Sequence, residues 1–268
     1  MDGTSRILFV VEGEKTERQL VNRLSEIFGV SSTVYSVKGN IYKLYQAVKD
    51  DPFIGITDIL SEMEECSEAD RVILSKGFTD VFLVFDCDAQ HTIHPEESKC
   101  KTAFEIAVRN MRLVRKMAER FNESTDPERG KLLVNCPMVE AFRDCDDFYD
   151  ESYSEAIVPV TELGEYKKRV AKRRLVRFHI KDYSRKNFCD LMRMNIFKLN
   201  KILGGRFEAY PYNAFLSNNN QIKIAEEETR LVEQNSMVSV LNTLLFFPVE
   251  YFGNVNGFYD NVLDTDKR

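Results

Sequence analysis

Two apolar runs, Ile7-Leu-Phe-Val-Val11 and Val81-Phe-Leu-Val-Phe85, constrain the chain most, because each runs straight into acidic residues. Unbroken β-branched and aromatic stretches of this length read as buried strands, not as alternating strands with one wet face. The first ends on Glu12 and Gly13, and the second on Asp86-Cys-Asp88. A helical pattern follows the first directly, with Leu20, Leu24 and Ile27 on one face. A glycine between strand and helix lets the chain turn without a Cβ clash.

The rest of the first 150 residues alternates in the same way. Thr33–Val37 reads as a strand, Ile41–Val48 and Ile56–Met63 as helices, and Ser98–Phe121 as one long amphipathic helix with Ala103, Ile106, Met111, Val114 and Met117 near one stripe. Lys131–Asn135 reads as a further strand, followed near Pro137 by a helical stretch carrying Glu140. Strands alternating with helices imply a parallel sheet covered by helices, where ligands gather at the carboxyl ends of the strands. Glu12, Asp86 and Asp88 fall at such ends and Glu140 follows a third. Carboxylates from separate segments are therefore expected to converge on one edge. Asp86 and Asp88, two residues apart beyond a strand, suit a hard cation such as Mg²⁺ or Mn²⁺.

Charge divides the chain. Between Tyr166 and Arg206 there are fourteen Lys or Arg and two acids, a local balance of +12, so the remainder carries −18 within a net −6. An excess of this size exceeds what two local acids can pair, and is the pattern expected where a polyanion docks. Lys167, Lys168, Lys172, Arg173, Arg174, Arg177, Lys181, Arg185 and Lys186 are the expected phosphate contacts, with Phe178, Tyr183 and Phe188 available to stack on bases of a single strand. Residues 1–150 are thus read as a catalytic α/β domain and 151–268 as a mainly helical, basic region for substrate binding or oligomerisation. The apolar Val238–Val249 stretch is read as packing on a core or forming a homodimer contact. No apolar run is long enough to span a membrane, no secretory pattern opens the chain, and six scattered cysteines lack CxxC pairs. A cytoplasmic protein with free thiols is expected.

Three competing motifs are weaker. Gly13-Glu-Lys-Thr16 lacks the upstream glycine of a phosphate-binding loop. Phe85-Asp-Cys-Asp-Ala-Gln90 departs from the haloacid-dehalogenase nucleophile motif at Gln90. His91 and His94 beside Asp88 lack a second compact ligand pair for zinc, although His91 is placed to meet a substrate phosphate.

The strand ending in Glu12-Gly13, followed by Glu17, and the later strand ending in Asp86-x-Asp88 resemble the TOPRIM domain of topoisomerases, primases and OLD-family nucleases. Val11-Glu-Gly-Glu-Lys-Thr-Glu17 looks most like the OLD and RloB branches. Asn135-Cys-Pro-Met-Val-Glu140 is similar to the Asn-Pro-x-x-Glu segment of RloB-like proteins, with Cys136 as one additional residue. The resemblance covers roughly residues 5–150. It implies a Rossmann-like parallel sheet and Mg²⁺-dependent phosphodiester chemistry. Glu12 would be a metal ligand or proton-transfer group, Asp86 and Asp88 metal ligands, and Glu17 and Glu140 ligands of a second metal. Lys15 or a cation of the basic segment would neutralise the developing charge. It further implies an anti-phage defence effector, similar to PARIS effectors, cutting RNA (tRNA included) or DNA and held silent by an ATPase partner in trans. The alternatives are a TOPRIM module that binds nucleic acid or protein without cutting, and a primase- or maturase-like enzyme.

Overall fold

Every residue of Ile7–Val11 (β1) is buried, which requires cover on both faces of the strand. The computed structural model, which describes residues 6–264 apart from 38, 50–52, 65, 94, 95 and 127, supplies that cover with helices. After β1 come Thr16–Phe28 (α1), Ser32–Ser36 (β2), Ile41–Val48 (α2), Ile56–Glu62 (α3), Glu68–Leu74 (α4) and Asp80–Asp86 (β3). Glu97–Cys100 (α5), Ala103–Arg120 (α6), Asn122–Glu123 (β4) and Gly130–Asn135 (β5) complete the first part. The remainder holds Ile157–Pro159 (β6), Tyr166–Val170 (α7), Arg185–Ile202 (α8), Tyr212–Asn218 (α9), Gln221–Asn235 (α10), Met237–Ser239 (β7), Phe247–Phe252 (α11) and Phe258–Leu263 (α12), with several 3₁₀ turns between them.

The main sheet has the order β2-β1-β3-β5-β4, parallel except for the short antiparallel edge β4. The chain leaves β1 toward β2 on one side and returns to β3 on the other, so β1 and β3 flank the topological switch point. Val11 pairs in register with Val84, and Asp86 with Asn135. Three strands therefore end at one level, and that level carries the acids. The sheet agrees with the α/β class read from the sequence.

Local signals explain most boundaries. The expected helix over 98–121 is split, because Thr102 caps α6 in a reciprocal box with Glu105. Asn40 caps α2 by accepting from the N–H groups of Tyr42 and Lys43. α1 turns Leu20, Val21, Leu24 and Phe28 inward, and each such burial contributes roughly 1.5–3 kcal/mol. Gly13 differs from its expected role: its φ is not positive, and what its missing side chain provides is room, since a Cβ there would lie 2.1 Å from the Glu17 carboxylate.

The Val238–Val249 stretch is corrected as a dimer contact. Val238, Val240, Leu241, Leu244, Leu245, Phe246 and Val249 are fully buried within the chain's own core, so they present no surface to a partner. Phe247 lies edge-on against both Phe9 and Phe82, at 4.7 and 5.1 Å between ring centres, and closes one face of the sheet. Tyr183 and Phe188 are likewise corrected as stacking residues, because both are buried. They form an aromatic cluster with Phe28, Phe142 and Phe148. Among the described residues no helix is long and apolar enough to cross a membrane, and all six cysteines are unbridged.

Candidate active site

The register of the sheet brings the expected carboxylates together. Glu12 leaves β1, its N–H donating to Val84 O at 3.2 Å, and its Oε2 accepts the Asp86 N–H at 3.3 Å. Asp86 ends β3, and its Oδ1 accepts the Val139 N–H at 2.7 Å from the turn that follows β5. One carboxylate thus joins two strand ends, and a backbone bond orients the other. Asp88 sits at φ 37°, a left-handed conformation uncommon for a non-glycine residue, which turns its side chain out of the strand direction. Gln90 Nε2 donates to Asp88 Oδ1 at 3.2 Å. Glu17 comes from the first turn of α1, over Gly13, and Glu140 from the 3₁₀ turn Val139–Arg143. The helix expected near Pro137 is this tighter turn, entered through a cis Cys136–Pro137 peptide.

Mutual repulsion shows in the acidities. Burial, then the charges of Asp88 and Glu17, pushes Glu12 up to about 8. Burial and the charges of Glu12, Asp88, Glu17 and Glu140 hold Asp86 well above the usual carboxylate range. Burial also raises Asp88, against the pull of Lys167 and the Gln90 hydrogen bond, and raises Glu17 with help from the charge of Glu140. Five carboxylates so placed are costly unless a cation or protons offset them.

Lys167 is the cation nearest the cluster. Its Nζ stands 3.8 Å from Glu140 Oε1, and Glu140, Asp86, Asp88 and Glu17 all favour its charged form. Lys15, by contrast, is exposed at the start of α1, and no contact brings its side chain to the acids. The second expected source of positive charge, the basic segment, is therefore the one that reaches the site.

The residues suit a hard divalent cation. All the donors are carboxylate oxygens, and Glu140 Oε2 is buried without a hydrogen-bond partner. Among the described residues no group of three His, Cys, Asp or Glu already stands at ligand geometry. His94 lies outside the described residues. His91 packs face to face on Tyr42, 5.3 Å between centres, with Asn40 Nδ2 at 3.1 Å from its ring.

Several supporting residues escaped the sequence reading. Asn110 on α6 donates to the carbonyls of Ala89 and His91 at 2.9 and 2.8 Å, and the Tyr42 hydroxyl donates to Cys87 O. On the other side, Asn242 donates to Val139 O at 2.9 Å, and Cys136 exchanges two 2.8 Å backbone bonds with Leu241. These bonds stake down the two loops that carry Asp88 and Glu140. A signal existed: Asn110 and Asn242 are polar residues inside otherwise apolar patterns, and buried amides of that kind are retained for their hydrogen bonds.

The basic segment is only partly a free surface. Arg173 pairs with Asp144 at 2.8 Å, Lys168 with Glu165 at 2.7 Å and Lys186 with Asp190 at 3.9 Å, while Arg185 lies over the Phe28 ring. Lys172, Arg174, Arg177 and Lys181 are exposed and form no ion pair with any described residue.

Fold and site together define a parallel α/β protein with a recessed carboxylate cluster at its topological switch point. Comparison with protein-family models, with curated proteins and with solved structures gives no match to this chain.

Proposed function

We propose that this protein is a metal-dependent nuclease of the TOPRIM type, hydrolysing phosphodiester bonds in RNA or DNA. One observation carries the reading: Glu12, Asp86, Asp88 and Glu140 from three strand ends and Glu17 from the first turn of α1 share one recess with Lys167 at its rim. Bound Mg²⁺ or Mn²⁺ would supply Lewis acidity, lowering the pKa of the attacking water and offsetting phosphate charge. The chain's own residues do the rest. Asp86 and Asp88 provide fixed oxygen donors, aimed by the Val139 N–H and by the turned backbone at Asp88. Glu12, held at the end of β1 with its Oε2 on the Asp86 N–H, takes the proton of the water as the new P–O bond forms. The ester P–O bond breaks on the opposite side, the leaving oxygen takes a proton from a solvent water, and Glu12 returns its proton to solvent. Lys167 places positive charge where the phosphate gains negative charge.

The test is cleavage of labelled single-stranded and duplex RNA and DNA with Mn²⁺ or Mg²⁺, comparing the wild type with the Asp86→Asn/Asp88→Asn variant. Loss of cleavage with unchanged folding supports a nuclease. A binding activity indifferent to both substitutions means a module that does not cut, and strand synthesis or defined end-trimming means a primase- or maturase-like enzyme. The resemblance to defence effectors also supports an ATPase partner in trans. Full-rate cleavage and host killing by the isolated chain would remove the need for such a partner.

A further inference from the structure

Four cations, one aromatic ring and one wall of a groove come from the stretch of chain that follows Lys167, the cation beside the acids. Lys172, Arg174, Arg177 and Lys181 are exposed cations that form no ion pair with any described residue, all within ten residues of one another. Phe178, in their midst, keeps half of its surface in water (52%) and rests on Phe148, 5.7 Å between ring centres. An exposed, braced ring between unpaired cations has no role in the core. Beside it runs a groove of about 450 Å³ between α1 and the 3₁₀ turn Ile180–Asp182, lined by Gln19, Asn22, Arg23, Glu26, His179 and Lys181. Its floor is fixed, because the Arg23 guanidinium donates twice to Tyr183 O, at 3.0 and 2.8 Å.

Both walls of the groove are continuous in sequence with the acids' surroundings: α1 carries Glu17 in its first turn, and the chain of the other wall follows α7, whose Lys167 stands 3.8 Å from Glu140. The acids themselves are recessed: Asp86, Glu17 and Glu140 retain 5, 7 and 9% of their surface. A duplex is stiff over far more than the length of this site and presents its phosphates on a convex cylinder. A single strand bends at each nucleotide and can lower one phosphate into the recess. Cations that track a backbone, a stacking ring and amide side chains for base edges are the parts by which flexible strands are held.

We propose that the substrate is single-stranded nucleic acid, or an unpaired loop or end, running along the α1 groove past Lys181, Arg177, Arg174 and Lys172 with a base stacked on Phe178. This rests on the nuclease reading for the direction of the path but not for binding itself. The strand meets positive charge outside the recess and Lys167 at its rim, so its phosphates approach the acids only where a counter-charge is already present.

The experiment is fluorescence anisotropy with 20-nucleotide oligo(dT), oligo(U) and a 20-base-pair duplex. It uses the full chain carrying Asp86→Asn/Asp88→Asn, so that nothing is cut. Either single strand is expected to bind about tenfold or more tightly than the duplex. Lys172→Gln/Arg174→Gln/Arg177→Gln/Lys181→Gln should weaken single-strand binding by roughly tenfold or more and flatten the slope of log K against log salt by about 3. Phe178→Ala should cost about fivefold or more and Phe178→Trp should restore binding, an outcome that simple loss of charge does not give. Duplex binding equal to or tighter than both single strands overturns the proposal, as does a quadruple variant with unchanged affinity. Either failure leaves the nuclease reading standing, which falls only if the wild type cuts nothing.

Discussion

The carboxylate recess and the basic segment are both dense in charge, yet they are built by opposite means. The recess is assembled from residues far apart in sequence, and its acids are buried and fixed by backbone bonds to Asp86 and Val139. The segment is continuous in sequence, and most of its cations sit outside on turns and helices, with Arg193 and Lys198 buried; several are paired, by acids next to them or, for Arg173, by Asp144 from outside the segment. Buried like charges that repel one another lower stability and persist where a ligand needs them. Exposed charges cost little and contribute little to the fold. On the proposed nuclease reading, chemistry belongs to the first region and encounter with a polyanion to the second.

The comparison breaks most readily at Asp86 and Asp88. Their double replacement by Asn is expected to lower metal-dependent cleavage by a factor of roughly a thousand or more while circular dichroism stays native. Next come the buried amides that brace the recess. Asn110→Ala leaves the carbonyls of Ala89 and His91 without donors and should cost roughly 2 kcal/mol, or about 4–8 °C in thermal melts. Asn242→Ala should do the same through Val139.

Glu12→Gln should act in the other direction and depend on pH. A carboxyl whose affinity for its proton rises from 4.5 to about 8 on folding costs nothing below pH 4.5, where both states hold the proton. As pH rises toward 8 the unfolded state ionises first, and stability is lost until the folded group ionises as well. The variant should match the wild type near pH 4 and exceed it by several kcal/mol near pH 9, about 1.4 kcal/mol for each pH unit between 4.5 and about 8, read from denaturant melts. Mn²⁺ affinity of the wild type should increase over the same range, because cation and proton compete for the same oxygens. The smallest effect belongs to the surface. Lys172→Gln or Arg177→Gln alone should change stability by less than about 0.5 kcal/mol.

The sequence made legible what depends on runs and periods. β1 and β3 are continuous apolar strands, α2 matches its expected span, and the acids at strand ends follow from both. α4 was missed because only Leu74 of its seven residues is buried, which leaves no periodic stripe to read. β6 and β7 were missed because their pairing, Val158 with Val238, joins segments eighty residues apart. The basic excess looked unpairable for the same reason. Its partners Glu140, Asp144 and Glu155 lie outside the counted stretch and meet Lys167, Arg169, Arg173 and Lys201 only in the folded chain. The five acids could be named one by one, but the asparagines that hold their loops show their purpose only once the strands are paired.

The bonds from Leu241 and Asn242 to Cys136 and Val139 also set an order in time. During synthesis all five acids leave the ribosome more than a hundred residues before the segment that steadies the last of them. A partly made chain would carry the reactive groups without the fixed turn that aims them. The turn that carries Glu140 acquires these bonds only after residues 241 and 242 have been made.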